Sequence, residues 1–488
     1  MTMAANIPGH SIGTALILAA LSACGGGSGS PAPPPPPPPV SNLVRVSAAS
    51  TLAAGCSGTA QTGTNFINAE VEPNAVVNPS NPSNVVGAWQ QDRWSSGGSQ
   101  GLLMAASFDG GHNWTISSAP FSRCTGGSPA NGGDFDRATD PWLAASPDGA
   151  IYALSLSFSG GTLQPGSSSA VLVARSVDGG TTWGPPATLI RDGDQFFNDK
   201  NSITADPGDA HFVYAVWDRL TTANEGPAWF ARTIDGGATW EAARAIFDPG
   251  PGNQTLGSLI AVLPNGQLVN VFTEIDVAAG GMVTTSLRAI RSTDHGASWS
   301  APVTLADVQA IGTFDPQTGA NVRDGSDLAS LAADSTGTLY VVWQDSRFSG
   351  GAPDGIALSR SIDGGLTWTT PVRVNSRVDA AAFTPTVHVR GDGVIGVSYY
   401  DLRNNTSDPA TLLTDYWLAT SVDGMTFTES HVSGPFDLDR APNADGLFLG
   451  DYQALVSVGA EFRPFFVRTT AAATGNPTDV YMAFGPAP

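Results

Sequence analysis

Ser176-Val177-Asp178-Gly179-Gly180-Thr181-Thr182-Trp183 is the most regular copy of a phrase written six times, the other copies beginning at Ser107, Thr233, Ser292, Ser361 and Ser421. Five copies share a hydroxyl residue, an Asp two places on, a Gly two further and a Trp three beyond that. The sixth is one residue shorter and ends in Phe427. These are the residues of a hairpin turn. The carboxylate accepts backbone N–H bonds inside the turn, the Gly takes positive φ, and the Trp opens the next strand and packs back over the turn.

Outward from these turns the chain repeats with a period of about 55 to 70 residues, long enough for four strands and their loops. Each unit opens with an inner strand that begins polar, as in Arg137-Ala138-Thr139-Asp140-Pro141-Trp142-Leu143-Ala144. A tight turn follows, then a β-rich second strand such as Phe212-Val213-Tyr214-Ala215-Val216-Trp217, and a third strand leads into the repeated turn and an outer strand. Second strands centre near Val86, Tyr152, Val213, Val269, Val341, Val397 and Phe466, which makes seven units against six repeated turns. The last unit stops one outer strand short, and Leu43-Val44-Arg45-Val46-Ser47 at the other end resembles the outer strand Pro371-Val372-Arg373-Val374-Asn375. An N-terminal strand that completes the last unit would leave no exposed sheet edge.

The six turns resemble the Asp-box (BNR) repeats of sialidase-like β-propellers. That resemblance covers most of residues 43 to 488 and implies an all-β fold, a single β-propeller over 41–488; the strand count makes it seven four-stranded blades with the N-terminal strand closing the last one, where the family typically has six. It implies no chemistry by itself, because the turn is a structural staple. Catalytic sialidases grip a substrate carboxylate with three arginines and attack with a Tyr activated by a Glu. They also carry an Arg-Ile-Pro stretch near the first blade, which this chain lacks; Phe462-Arg463-Pro464 in the last unit is the nearest string.

Composition agrees with a large Gly-rich β protein: 57 Gly and 36 Pro against only 13% charged residues. A net charge of −21 argues against nucleic acid and anionic membrane surfaces, which draw on dense Lys and Arg. Every basic residue but Lys200 is Arg.

The apolar run Thr14 to Leu21 ends in Leu21-Ser22-Ala23-Cys24, which resembles the lipobox of bacterial lipoproteins. The reading is a signal peptide over 1–23, lipidation at Cys24, and a Gly/Ser/Pro-rich tether over 24–40 holding the domain on the cell envelope. Unlike usual export signals, Met1 to Gly13 holds no Lys or Arg. Cys56 and Cys124 then remain as an even pair in loop surroundings, which suits a disulfide in an oxidising compartment.

Strand direction sorts residues by face. The starts of inner strands and the ends of second strands share one face, the top, with the repeated turns at the other. The candidate catalytic set there is Asp199, Lys200, Asp140, Arg137, Arg323, Asp327 and Tyr452; the candidate binding set is Arg219, Arg347, Arg403, Tyr400 and Asp451. The recurring Asp/Arg pairs (Asp92-Arg93, Asp218-Arg219, Asp345 with Arg347, Asp401 with Arg403) suit ion pairs that brace neighbouring loops better than ligand contacts. No zinc, phosphate-loop or nucleophile-elbow motif is present, and no organic cofactor is implied. Calcium is the one ion with a candidate site, at Asp192-Gly193-Asp194 and Asp199, a pattern that solvated loop carboxylates share. Two functions fit: a monomeric, exported glycoside hydrolase acting through the top face, or a non-catalytic propeller binding a glycan or protein there.

Overall fold

The structure is a computed structural model that describes residues 42–278, 280–470 and 477–485. The expected signal peptide, the tether and Cys24 lie outside the described residues. The fold is all-β apart from two single-turn 3-10 helices, Arg123–Thr125 and Leu438–Arg440.

Among the described residues the strands form four four-stranded antiparallel sheets, one twelve-stranded sheet that takes in the first, second and last repeat units, and one small three-stranded sheet. First strands of the seven units are Asn65–Val77, Arg137–Ala145, Phe196–Ala205, Gln254–Val262, Ala329–Ala333, Ala382–Val389 and Ala454–Val458. Each lies against the first strand of the next unit, and that of the seventh lies against that of the first. The seventh unit draws its fourth strand from the N-terminus. Asn42–Arg45 pairs antiparallel with Thr478–Phe484, with Leu43 opposite Ala483 and Val44 opposite Met482.

The second strands read as near-continuous apolar runs because both of their faces are covered. Trp89, Trp217 and Trp343 are fully buried on three of them, and the cores lie between neighbouring sheets. Between the first and second units, for example, Val86, Met104, Leu143 and Ile151 share one apolar cluster.

The repeated turns fold as their residues dictate. Ser176 Oγ donates to Asp178 Oδ1 (2.8 Å) and accepts from the Gly180 amide, while Asp178 accepts from the amides of Thr181 and Thr182 and from the Thr182 hydroxyl. In the equivalent turn, hydrogen bonds from Thr239, first from its side chain and next from its backbone, hold Asp235 down to about 2. Each turn also rests on the unit before it. Gly180 has φ 88°, and a Cβ there would sit 2.8 Å from Val86 of the first unit, so only glycine permits the approach. The Trp183 indole donates to Ser117 Oγ of that same unit at 3.0 Å.

Five first strands carry the same bulge, one extra residue opposite the second strand. In each, the left-handed residue inside it is Glu72 (φ 54°), Asp140 (53°), Lys200 (47°), Gly257 (66°) or Thr384 (49°). A non-glycine side chain in this region costs about 1–2 kcal/mol, so four units hold strain at one structurally equivalent place.

Deleting residues 41–50 removes the partner of Thr478–Phe484 and exposes a sheet edge. The truncated protein is expected to lose about 3 kcal/mol or more and to aggregate or melt clearly lower in a thermal scan; a melting temperature equal to the parent's would contradict the pairing.

Candidate functional site

The bulges turn side chains of consecutive units toward one point. Glu72, Asp140 and Lys200, from the first three units, meet Asp451 and Tyr452, which precede the last first strand. Arg323 reaches the same place from an insertion before the fifth unit. There Thr313–Phe314 and Asn321–Arg323 form a hairpin whose second strand pairs in parallel with Leu447–Phe448.

Asp451 is the hub. Lys200 Nζ lies 2.5 Å from its Oδ2, and Arg323 grips it with two nitrogens, Nε to Oδ1 at 3.0 Å and Nη2 to Oδ2 at 2.6 Å. Burial opposes ionisation of Asp451, but Arg323 and then Lys200 outweigh it and hold the carboxyl well below the usual range. Burial likewise opposes charge on Lys200, and Asp451 followed by Asp140 (3.9 Å away) keeps it protonated. Lys200→Met is therefore not a probe of binding alone: it would strip a partner from a buried carboxylate, a change that commonly destabilises.

Beside the hub, Thr139 Oγ1 donates to Asp140 Oδ1 at 2.7 Å and accepts from Gln90 Nε2 at 2.8 Å. The same Gln90 amide donates to Glu72, and its carbonyl accepts from Arg93 Nη1 at 2.8 Å. Burial, then Asp140, raises Glu72 to about 8. Burial also raises Asp199, whose Oδ1 accepts the Lys200 amide.

Above this cluster opens a cavity of about 330 Å³, whose walls include Arg93, Arg137, Asp140, Asp199, Lys200 and Arg323. It lies at the end of the sheets opposite the repeated turns, since first strands begin here and third strands end there. Below the cluster a separate channel of about 410 Å³ runs between the lower halves of the first strands. Asp451 and Tyr452 line that lower space.

Two cations in the cavity wall differ from the rest. Arg93 and Arg137 are buried, and neither makes a salt bridge to a carboxylate among the described residues. Arg93 Nε is buried without a hydrogen-bond partner, and its guanidinium and that of Arg323 both lie over the Phe448 ring, at 4.8 and 4.3 Å. Burial and then the Arg323 charge push Arg93 down to about 10; burial and then Arg93 push Arg137 to about 10. Both stay protonated at neutral pH. Arg137 binds only neutral oxygens, from Gln61, Thr62, Ser96 and Gly97, and lies over Trp94.

Of the residues singled out from the sequence, Asp140, Asp199, Lys200, Arg323, Asp451 and Tyr452 come together and Arg137 lines the cavity beside them. Tyr452 Oη lies 3.4 Å from Glu72 Oε2 and 3.3 Å from the Pro141 carbonyl, facing the lower channel rather than the cavity. Others sit elsewhere. Asp327 is exposed, its carbonyl accepting the Thr273 hydroxyl. Tyr400 is fully buried among Phe383, Tyr416 and Phe436, its hydroxyl on the Val467 carbonyl, which makes it core and not a ligand contact. Arg219 is paired to Asp192 between Phe196 and Trp229, Arg347 to Asp345, and Arg403 to Glu429 and Asp401. Arg347 and Arg403 brace their own units, and Arg219 ties the third unit to the outer strand of the second.

The carboxylates of the calcium candidate are engaged separately: Asp192 by Arg219, Asp194 by the Gly166 amide and Asp199 by Lys200 N. No group of three or more such ligands that could hold a metal occurs among the described residues.

Glu72 and Gln90 are the members the sequence reading missed, and Arg93 was placed on this face only as one of the recurring Asp/Arg pairs. A signal was present. Glu72-Pro73, Asp140-Pro141 and Thr384-Pro385 recur at one place in three first strands, and the dipeptide marks the bulge.

No family model matches the chain. A xyloglucanase from a Paenibacillus species is 27% identical over 208 residues, which is 38% of this chain and only 18% of the length of that relative. Among solved structures, a Dyadobacter fermentans protein of unknown function is 16% identical with a TM-score of 0.48, over 91% of this chain and 98% of that one. A Penicillium chrysogenum α-L-arabinanase complexed with arabinobiose is 15% identical (TM-score 0.47, 69% and 90% covered). A Hadza microbial sialidase is 17% identical (TM-score 0.45, 68% and 63% covered).

Glu72 makes stability depend on pH with a definite sign. Its folded value of about 8 lies above the ordinary carboxylate value, so the folded state holds a proton that the unfolded chain has already released. Stability from this group falls as pH rises from about 4.5 to about 8. Glu72→Gln is expected to gain melting temperature relative to the parent across that interval; a difference that stays constant with pH would contradict the assignment.

Proposed function

We propose that the chain is a closed seven-bladed, sialidase-like propeller that acts on a carbohydrate through the upper cavity, with an acidic saccharide as its ligand. The closed ring is supported by the cyclic order of first strands and by the N-terminal strand on the seventh unit. One observation carries the ligand reading. Arg93 and Arg137 are buried, cationic and outside any salt bridge in the wall of an open cavity, so a ligand carboxylate would pair with them at hydrogen-bond distance, where Glu72, Asp140, Asp451 and Asp136 act only from farther off. Neither the Paenibacillus relative nor the structural neighbours carry that step.

The proposed chemistry is glycoside hydrolysis. Asp199, which lines the cavity and whose carboxyl burial raises above its ordinary value, is the proposed general acid, and Asp140, fixed by Thr139, is the second carboxyl in the same wall. The Tyr/Glu pair that sialidase chemistry uses has a counterpart in Tyr452 and Glu72, but burial raises Tyr452 well above the ordinary phenol value and it faces away from the cavity. That placement favours a second reading, a propeller that holds the saccharide without cleaving it. On either reading the domain is exported and tethered to the cell envelope through Cys24, as a monomer.

A panel of chromogenic glycosides and uronic-acid oligosaccharides, run with and without calcium, separates the readings: release of product favours the hydrolase and retention alone favours the binding module. For the hydrolase, Asp199→Asn is expected to lower turnover at least about 100-fold with binding retained, the usual effect of removing a general acid. Asp178→Ala, in a repeated turn, is expected to do the reverse, costing about 2 kcal/mol of stability with turnover kept. Full turnover by Asp199→Asn would refute the assignment.

A further inference from the structure

From Ser47 to Thr64 the chain forms no strand or helix, yet it supplies part of the cavity wall: Ala60, Gln61 and Thr62 line the cavity beside Arg137. Most of this strap is exposed, so burial does little to hold it. Specific ties hold it instead. Thr64 N donates to Ser95 Oγ (2.9 Å) and Ser96 Oγ to the Thr62 carbonyl (2.6 Å) at one end. In the middle the Cys56–Cys124 disulfide fastens the strap to the loop that precedes the second unit, and next to it Arg123 Nη1 donates to the Ser57 carbonyl at 3.1 Å.

The strap in turn holds Arg137. Gln61 Oε1 accepts from Arg137 Nε at 2.7 Å and the Thr62 carbonyl from Nη2 at 2.9 Å, two of the four oxygens around that guanidinium. The other two, Ser96 Oγ and the Gly97 carbonyl, both meet Nη1. Without the strap Arg137 keeps one anchored nitrogen and is free to turn about it. Gln61 sits five residues beyond Cys56, and among the described residues the Arg123 bond to Ser57 is the one hydrogen bond that ties residues 57–60 to another part of the protein.

We propose that the strap is a disulfide-held wall of the cavity in which Gln61 is a positioning residue for Arg137, so that the redox state of Cys56 and Cys124 sets how firmly the cavity holds an anion. The anion clause rests on the acidic-saccharide reading above; the clamp does not. A dithiol delivers two electrons and two protons, the S–S bond breaks to two thiols, and the dithiol closes to its own disulfide. The bond lost ties the strap and not the core. The strands of the seven units keep their pairing, and the response is confined to the cavity wall.

The test reads the clamp without a ligand first. The oxidised protein is compared with protein treated with dithiothreitol, with Cys56→Ala/Cys124→Ala and with Gln61→Ala, by hydrogen exchange over residues 53–62 and by phenylglyoxal labelling of Arg137. Reduction and the double variant are expected to raise strap exchange and Arg137 labelling several-fold. Gln61→Ala, with the disulfide intact, is expected to raise Arg137 labelling at an unchanged melting temperature. Equal exchange and labelling in oxidised and reduced protein would overturn the proposal, as would a Gln61→Ala variant that labels like the parent. Glucuronate binding is then measured on the same samples. Weaker binding on reduction supports the full proposal, whereas no binding in either state overturns the acidic-saccharide reading and leaves the clamp to the exchange and labelling result.

Discussion

The Asp451 carboxylate, buried between the Lys200 ammonium and the Arg323 guanidinium, is the interaction on which the centre of the molecule depends. Ions taken out of water cost several kcal/mol each, and here the cost is offset only because both cations arrive at hydrogen-bond distance. They come from far apart in the chain: a bulge in the third unit, a hairpin inserted before the fifth, and the loop into the seventh. The backbone is shaped for the meeting. A Cβ on Gly325 would lie 2.3 Å from the Asp451 carbonyl oxygen, and one on Gly450 would lie 2.7 Å from the Glu72 backbone nitrogen, so these approaches admit glycine alone. The Glu72 amide donates to the Leu449 carbonyl at 3.2 Å, which ties the first unit to the last beside the same ions.

Charge at this point is a consequence of topology. First strands converge, and the repeated bulge turns one residue of several units inward, so whatever side chain occupies the left-handed position enters the shared space. Glu72, Asp140 and Lys200 occupy it in three consecutive units, Gly257 in the fourth and Thr384 in the sixth. A β-branched threonine there is a strained choice by itself, and it is held by Thr384 Oγ1 donating to the Asp324 carbonyl at 2.8 Å. The cluster is therefore built from backbone strain, close glycine contacts and ion pairing at once. Arg93 and Arg137 stand at its upper edge, outside salt-bridge distance of the protein's own carboxylates.

Legibility in the sequence followed the range of the interactions. The repeated turns are local, with Asp, Gly and Trp all acting within eight residues, and they were readable along with the all-β class. The N-terminal strand was readable because Val44-Arg45-Val46 matches the alternation of an outer strand, and the pairing with Thr478–Phe484 has that form. Cys56 and Cys124 were readable as a pair by count. The site was harder, because strand direction assigns residues to a face and not to a partner. That reasoning brought in Asp199, Lys200 and Asp451 but also Tyr400, whose hydroxyl finds a backbone carbonyl inside the core, and Arg219, Arg347 and Arg403, each neutralised by a nearby acid. Glu72 was passed over because the bulge that re-aims it breaks the alternation on which inward and outward positions were assigned, and Arg93 was grouped with the bracing Asp/Arg pairs of other units although it makes no salt bridge of its own.

The absence of a salt bridge at Arg93 and Arg137 is what the account of the cavity turns on, and calorimetric titration of glucuronate against glucose tests it directly, on the parent and on Arg93→Met. The two sugars differ in a carboxylate against a hydroxymethyl group, so a cavity wall with two arginines outside any salt bridge should tell them apart. The account predicts that the parent binds glucuronate measurably and glucose at least about tenfold more weakly, with the preference lost in Arg93→Met, since a charge-assisted hydrogen bond contributes about 1.5–3 kcal/mol. Equal affinity for the two sugars, or a glucuronate preference that survives Arg93→Met, would contradict it.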